Sequence, residues 1–186
     1  MGSFLIKTTN LAGAYVIDCA PNEDCRGMFS RWFCTEELSV VFGKRKIVNV
    51  NFSRTARKGT IRGMHFQNPP YSEMKIVRCI KGRIADTIVD IREESDTFLE
   101  HYSVELSDEN MRMLVVPEGF AHGFQTLEDN CEIMYLVTEH YNQYAEGGLR
   151  YSDPKLAICW PLPISGISDK DANHELIGDD YKGVRL

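Results

Sequence analysis

The chain has no C-x-x-C pair, no long apolar run, no basic stripe and no internal repeat of solenoid period, and each absence excludes a class of protein. Its six cysteines (Cys19, Cys25, Cys34, Cys79, Cys131 and Cys159) are scattered, so neither a zinc knuckle nor a disulfide framework is expected. Most should be buried thiols acting as small hydrophobes. The apolar run Phe4, Leu5 and Ile6 is too short for a secretory core or a spanning helix, so a cytoplasmic protein without a membrane partner is expected. A formal charge of -6 argues against a nucleic-acid backbone as partner. An acidic chain still holds an anion where a few arginines converge.

Helical signal is also scarce. Thr35 offers an N-cap, Glu36 and Glu37 occupy the first turn, and Leu38, Val41 and Phe42 fall at helical spacing before Gly43. A second short helix is expected after Ser168, with Asp169 and Asp171 near its start.

What the chain does have is strand signal. Segments 15–18, 47–53, 75–80, 84–91, 102–106, 113–116 and 131–137 are rich in β-branched and aromatic residues and closed by turn formers. Their spacing predicts an all-β sandwich or barrel. Lys81-Gly82, between two such runs, predicts a hairpin. A chain of 186 residues, 43% hydrophobic and 26% charged, suits one well-buried domain, 1–186, with a polar tail at 174–186 expected to be loosely held.

The densest chemistry lies in Arg62-Gly63-Met64-His65-Phe66-Gln67, followed by Lys75. Period-two alternation puts Arg62, Met64 and Phe66 on one face, and Ile61, Gly63, His65 and Gln67 on the other. A histidine there is either satisfied by backbone or free to take a proton from carbon, with a nearby ammonium steadying the charge left behind. Lys75 shares a face with Val77 and Cys79, at the wet end of a strand or inside a cavity. His122 stands between Ala121 and Gly123 in a stretch, Pro117 to Phe124, whose small residues let a ligand or backbone come close. Tyr135 and Tyr141 follow a strand-like run, and a phenol is either a proton donor or a packing group.

Together these pieces resemble the dTDP-4-dehydrorhamnose 3,5-epimerase family of sugar-nucleotide epimerases. The resemblance is carried by Asp24-Cys25-Arg26-Gly27-Met28-Phe29, Arg62 to Gln67, Lys75-Ile76-Val77-Arg78, Asp86 through Arg92, Pro117 to Phe124, Tyr135 with Tyr141, Ser152-Asp153-Pro154, and Ile167-Ser168-Asp169-Lys170-Asp171. It implies a cupin-like jelly-roll fold and a homodimer that exchanges strands and site residues. By the same resemblance His65 is the base, Asp171 its orienting carboxylate, Tyr135 the acid on the opposite face of the sugar and Lys75 the partner of the enolate oxygen. Arg26 and Arg62 are then diphosphate ligands, and Phe29, Asn49, Asn51, Gln67, His122 and Tyr141 line the substrate and its nucleotide. The implied chemistry needs neither metal nor cofactor. The chain departs from the family where Asn49 replaces a usual glutamine, where Leu136 replaces a frequent lysine, and where Tyr151-Ser152 replaces Trp-Asn.

The expected function is therefore inversion of C3 and C5 of a dTDP-4-keto-6-deoxyhexose in rhamnose-type deoxysugar synthesis. Inversion of one centre alone, or of another 4-keto sugar nucleotide, is the nearest alternative. A metal site on His65, Glu73 and His122 is a second, weakened by Gln67 standing where metal-binding cupins place another histidine. A third is a binding module without chemistry, which would have no need of a base and an acid on opposite faces.

Overall fold

The computed structural model describes residues 3–186. In chain order its elements begin with β1 (Phe4–Thr8), β2 (Tyr15–Cys19), a hairpin of β3 (Asn22–Asp24) and β4 (Gly27–Phe29), and helix α1 (Ser39–Phe42). There follow β5 (Asn49–Thr55), β6 (Ile61–Gln67), β7 (Lys75–Lys81), β8 (Arg83–Asp90), β9 (His101–Ser107) and β10 (Met113–Val116). The chain closes with β11 (Phe120–Thr126), β12 (Cys131–Val137), β13 (Glu146–Gly148) and helix α2 (Asp169–Ala172).

One sheet has the order β1-β2-β10-β7-β12-β5 and the other β13-β6-β11-β8-β9, with β3-β4 set apart. Every strand pairing within these sheets is antiparallel. The two large sheets face each other across a shared apolar core and form a cupin-like jelly-roll barrel. Side-chain alternation explains how each sheet is covered on both faces. In β10, Leu114 and Val116 point into the core between the sheets with Val77, Ile88 and Phe124, whereas Met113 and Val115 pack outward under α1 with Leu38 and Phe42. On the far side Met64, Phe66, Val89 and Ala121 are covered by Leu149, Leu156, Ile177 and Val184. The tail expected to be loosely held is thus anchored: Val184 N–H donates to Ile91 O at 2.7 Å, and Tyr181 stacks on Phe98.

Every strand expected from the β-branched segments is present, with ends shifted by two residues at most. The Lys81-Gly82 turn is not a hairpin. β7 pairs with β10 and β12, β8 pairs with β9 and β11, and the turn carries the chain from one sheet to the other. Both strands are buried on both faces, so each finds its neighbours within its own sheet. The helix expected from Thr35 is a single turn beginning at Ser39, capped by Leu38 without a side-chain bond. Glu37 is drawn away by Ser3 N–H at 2.6 Å and by Arg31 at 2.8 Å. Among the cysteines only Cys19, Cys79 and Cys131 are buried, while Cys25 and Cys159 are exposed.

Candidate active site

At one end of the barrel the inner faces of both sheets turn polar and open into a cleft. From the first sheet β5 contributes Asn49, Asn51 and Ser53, β7 contributes Lys75, and β12 contributes Tyr135 and Val137. Register puts them in rows, with Val137 between Asn49 and Lys75, and Tyr135 beside Asn51. From the second sheet come Arg62 and His65 on β6, and His122 and Phe124 on β11. Glu73, Glu139 and Tyr141 close the mouth from two loops.

Arg62 and His65 share this cleft although strict alternation places them on opposite faces. The register against β11 slips here: His122 lies opposite His65, and Phe124 opposite Arg62. One extra residue in β6 is a bulge that turns Arg62 inward. Two glycines make room for it. A Cβ on Gly63, whose φ is +126°, would meet Gly123 Cα at 2.5 Å, and a Cβ on Gly123 would meet Met64 Sδ at 2.6 Å.

His65 Nε2 lies 2.8 Å from Asp171 Oδ1 across 106 residues of sequence. The second carboxylate oxygen accepts Gly63 N–H at 3.1 Å, and Ser168 Oγ, the N-cap of α2, accepts Asp171 N–H at 3.1 Å. The cap that shapes α2 therefore also aims the carboxylate. Burial alone would raise the Asp171 carboxyl, but the bonds from His65 and Gly63 outweigh it and hold the group below its ordinary value. With Nε2–H donated to Asp171, the imidazole lone pair sits on Nδ1.

Across the cleft the Tyr135 hydroxyl meets Ser53 Oγ at 3.0 Å. Burial pushes the phenol well above its usual value, so it keeps its proton throughout the neutral range. A second imidazole, His122, lies 2.7 Å from Asp86 Oδ1 and edge-on to the Tyr135 ring at 6.3 Å. Lys75 Nζ is 3.1 Å from Glu73 Oε1, and both side chains are largely buried. At the rim Tyr141 O–H donates to Glu146 Oε2 at 3.1 Å, and Lys170 bonds the same oxygen, holding the Glu146 carboxyl below its usual range.

The cleft thus gathers Asn49, Asn51, Arg62, His65, Lys75, His122, Tyr135 and Tyr141, with Asp171 directly behind His65. Three of the expected residues lie elsewhere. Arg26 and Phe29 sit on the β3-β4 hairpin, where, among the described residues, the Arg26 side chain bonds only Asp24, and Phe29 is 69% exposed. Gln67 is 4% exposed, with its amide bonded to backbone. Ser53, Glu139 and Glu146 are not singled out in the sequence, and Asp86 and Lys170 stand only within the matching stretches, without a site role. Ser53 had a legible signal, the polar spacing Asn49, Asn51, Ser53 on one strand face. Among the described residues no group of three His, Cys, Asp or Glu side chains is placed to hold a metal ion, and His65 and His122 each bond a carboxylate instead.

A barrel mouth that sets a carboxylate-held imidazole on one sheet and a protonated phenol on the other has the parts of an isomerase that works by proton transfer. Comparison with known proteins supplies the family: residues 8–179 match the model described as dTDP-4-dehydrorhamnose 3,5-epimerase, and the chain belongs to that family. A relative of that name from Methanothermobacter thermautotrophicus is 40% identical over 176 residues, 93% of this chain and 94% of its own. The crystal structure of a dTDP-6-deoxy-D-glucose-3,5-epimerase from Legionella pneumophila, in complex with dTDP-4-keto-L-rhamnose, superposes with a TM-score of 0.90. It is 34% identical and covers 98% of both chains. A 3'-monoepimerase from Streptomyces bikiniensis, in complex with dTDP-quinovose, has a TM-score of 0.84 at 28% identity, covering 90% of this chain and 85% of its own.

Proposed function

We propose that this chain, acting as one jelly-roll unit in a homodimer, inverts C3 and C5 of a dTDP-4-keto-6-deoxyhexose by way of an enolate, with dTDP-4-dehydrorhamnose as the substrate. The observation that carries the reading is His65 on one sheet, held by Asp171 of α2 at 2.8 Å, facing Tyr135 on the other. The 4-keto group acidifies the hydrogens on both neighbouring carbons. His65 takes one of them on Nδ1, and Asp171 stabilises the imidazolium that forms. Lys75, whose side chain is largely buried, meets the charge that develops on the keto oxygen, where such a contact is stronger than in bulk water. Tyr135 then delivers a proton from the opposite face, and the carbon is inverted. Arg62 takes the diphosphate, since a planar guanidinium suits bidentate contact with two phosphate oxygens. Asn49, Asn51, His122 and Tyr141 surround the sugar and base.

The homodimer is supported by what the site lacks and what the surface shows. Arg26 and Phe29, assigned to the nucleotide by resemblance, lie on a hairpin that lines a separate hollow from the His65 cleft. β5 is an edge strand whose outer face bares Val50 and Phe52 at 61% and 55% exposure, an apolar strip that a second copy would cover. Mixing inactive His65→Ala and Arg26→Ala chains should restore activity in about a quarter of the sites, since only mixed dimers contain one intact site. No recovery on exchange of subunits would place both residues in one chain's site. The cytoplasm is the proposed compartment, because six thiols without a disulfide suit reducing conditions.

Incubation with dTDP-4-keto-6-deoxyglucose in heavy water, followed by NMR, tests the reaction. Deuterium at C3 and C5 with inverted product is expected. Deuterium at neither would remove the epimerase reading, and deuterium at one carbon alone would favour the single-centre reaction named for the Streptomyces bikiniensis structure.

A further inference from the structure

Gln67 ends β6 two residues beyond His65, yet its side chain never reaches the cleft. Its Nε2 donates to Tyr71 O at 3.0 Å and to His140 O at 3.3 Å, and its Oε1 accepts Asn142 N–H at 2.7 Å. Both amide hydrogens are committed, and at 4% exposure the group has no surface left for a ligand. Its partners lie in two loops that are far apart in sequence. Loop 68–74 carries Glu73 and leads into Lys75. Loop 138–145 carries Tyr141, and Gln67 grips the residue on either side of it, His140 and Asn142. Asn68, next in sequence, adds two bonds to Ala145 O, from its backbone at 2.7 Å and its side chain at 3.1 Å.

Tyr141 needs such a hold because little else supplies one. It is 67% exposed, and its hydroxyl bond to Glu146 leaves the ring itself unsupported. Its orientation therefore follows its backbone, and its backbone follows Gln67.

We propose that Gln67 is a positioning residue that fixes Tyr141 at the mouth of the cleft, setting affinity for the nucleotide rather than the rate of proton transfer. The inference rests on the reading above that Tyr141 meets the nucleotide. Gln67→Glu tests it sharply, since a carboxylate of the same length would face the carbonyl oxygens of Tyr71 and His140 without a hydrogen to offer either.

The probe is dTDP, titrated by calorimetry against wild type, Gln67→Glu, Tyr141→Ala and the double variant, with KM and kcat measured beside it. We expect Gln67→Glu to weaken dTDP binding about tenfold and raise KM by a like factor, with kcat within about twofold. The double variant should bind no more weakly than the worse single one, because both changes remove the same contact. Gln67→Met, which removes the donors without adding charge, carries the same expectation if Gln67→Glu does not fold. Wild-type affinity in these variants, additive losses in the double variant, or a fall in kcat at unchanged KM would each overturn the inference. A wild-type protein that does not bind dTDP would overturn the nucleotide reading along with it, whereas binding by wild type with an unmoved Gln67→Glu overturns this inference alone.

Discussion

Two histidine–aspartate pairs occupy the same cleft at nearly the same distance, and they are built for different work. His65 meets Asp171 at 2.8 Å and His122 meets Asp86 at 2.7 Å. The His65 side chain is 36% exposed and that of His122 only 6%. Asp171 comes from a distant helix with both oxygens bonded, whereas Asp86 lies on the strand next to His122 and its Oδ2 has no hydrogen-bond partner among the described residues. Distance alone therefore does not mark a base. Access does, together with a carboxylate whose second oxygen is tied down so that the imidazole is the group that responds. The sealed pair instead backs the Tyr135 ring.

The comparison breaks most visibly at His65. His65→Ala should lower the rate of deuterium exchange into the substrate by about 10³-fold while dTDP binding stays within a few-fold of wild type. Equal loss of binding and exchange would make His65 a ligand and erase the contrast. Asp171→Asn should cost about 10²-fold in kcat, because the imidazole loses both its fixed tautomer and the charge that stabilises its protonated form.

Asp171 also predicts a pH effect of definite sign. Its carboxyl in the fold lies below the ordinary value of 3.8, so the unfolded chain takes up the proton first as pH falls. Its contribution to stability is complete above that value and disappears as pH drops through the lower, folded one. Acid titration of Asp171→Asn, followed by circular dichroism, should show a shallower loss over that interval than wild type.

The sealed pair should answer differently. Removing one partner of a buried pair strands the other, so His122→Ala should destabilise the fold by about 3 kcal/mol. His65→Ala, at a more open position, should shift the melting temperature less. Scanning calorimetry of the two variants sharpens the contrast, and equal shifts would show that burial does not separate the pairs.

Much of this was legible before any coordinate. The β-branched runs marked the strands because strands buried on both faces need such side chains, and Ser168-Asp169-Lys170-Asp171 marked a capped helix whose carboxylate proved to reach His65. Legibility stopped where a residue's surroundings come from the rest of the fold. Nothing near Lys81-Gly82 tells a hairpin from a crossing between sheets, since the same turn serves both. Arg62 faces the cleft through a bulge that depends on Gly123, 61 residues along, and a period-two pattern carries no sign of it. Gln67 resembled a ligand because it shares a strand face with His65, but the loops that occupy its amide are assembled only in three dimensions.

The central claim is that two faces of one sugar ring are served by two side chains from opposing sheets, and Tyr135→Phe tests it most directly. Incubated in heavy water with dTDP-4-keto-6-deoxyglucose, this variant still has His65 to remove a proton and return deuterium from the same side. The account predicts deuterium at C3 and C5 of recovered starting sugar, with configuration retained and inverted product reduced about 10²-fold. Inverted product at the wild-type rate would contradict it, because the phenol would then have no part in delivering the second proton.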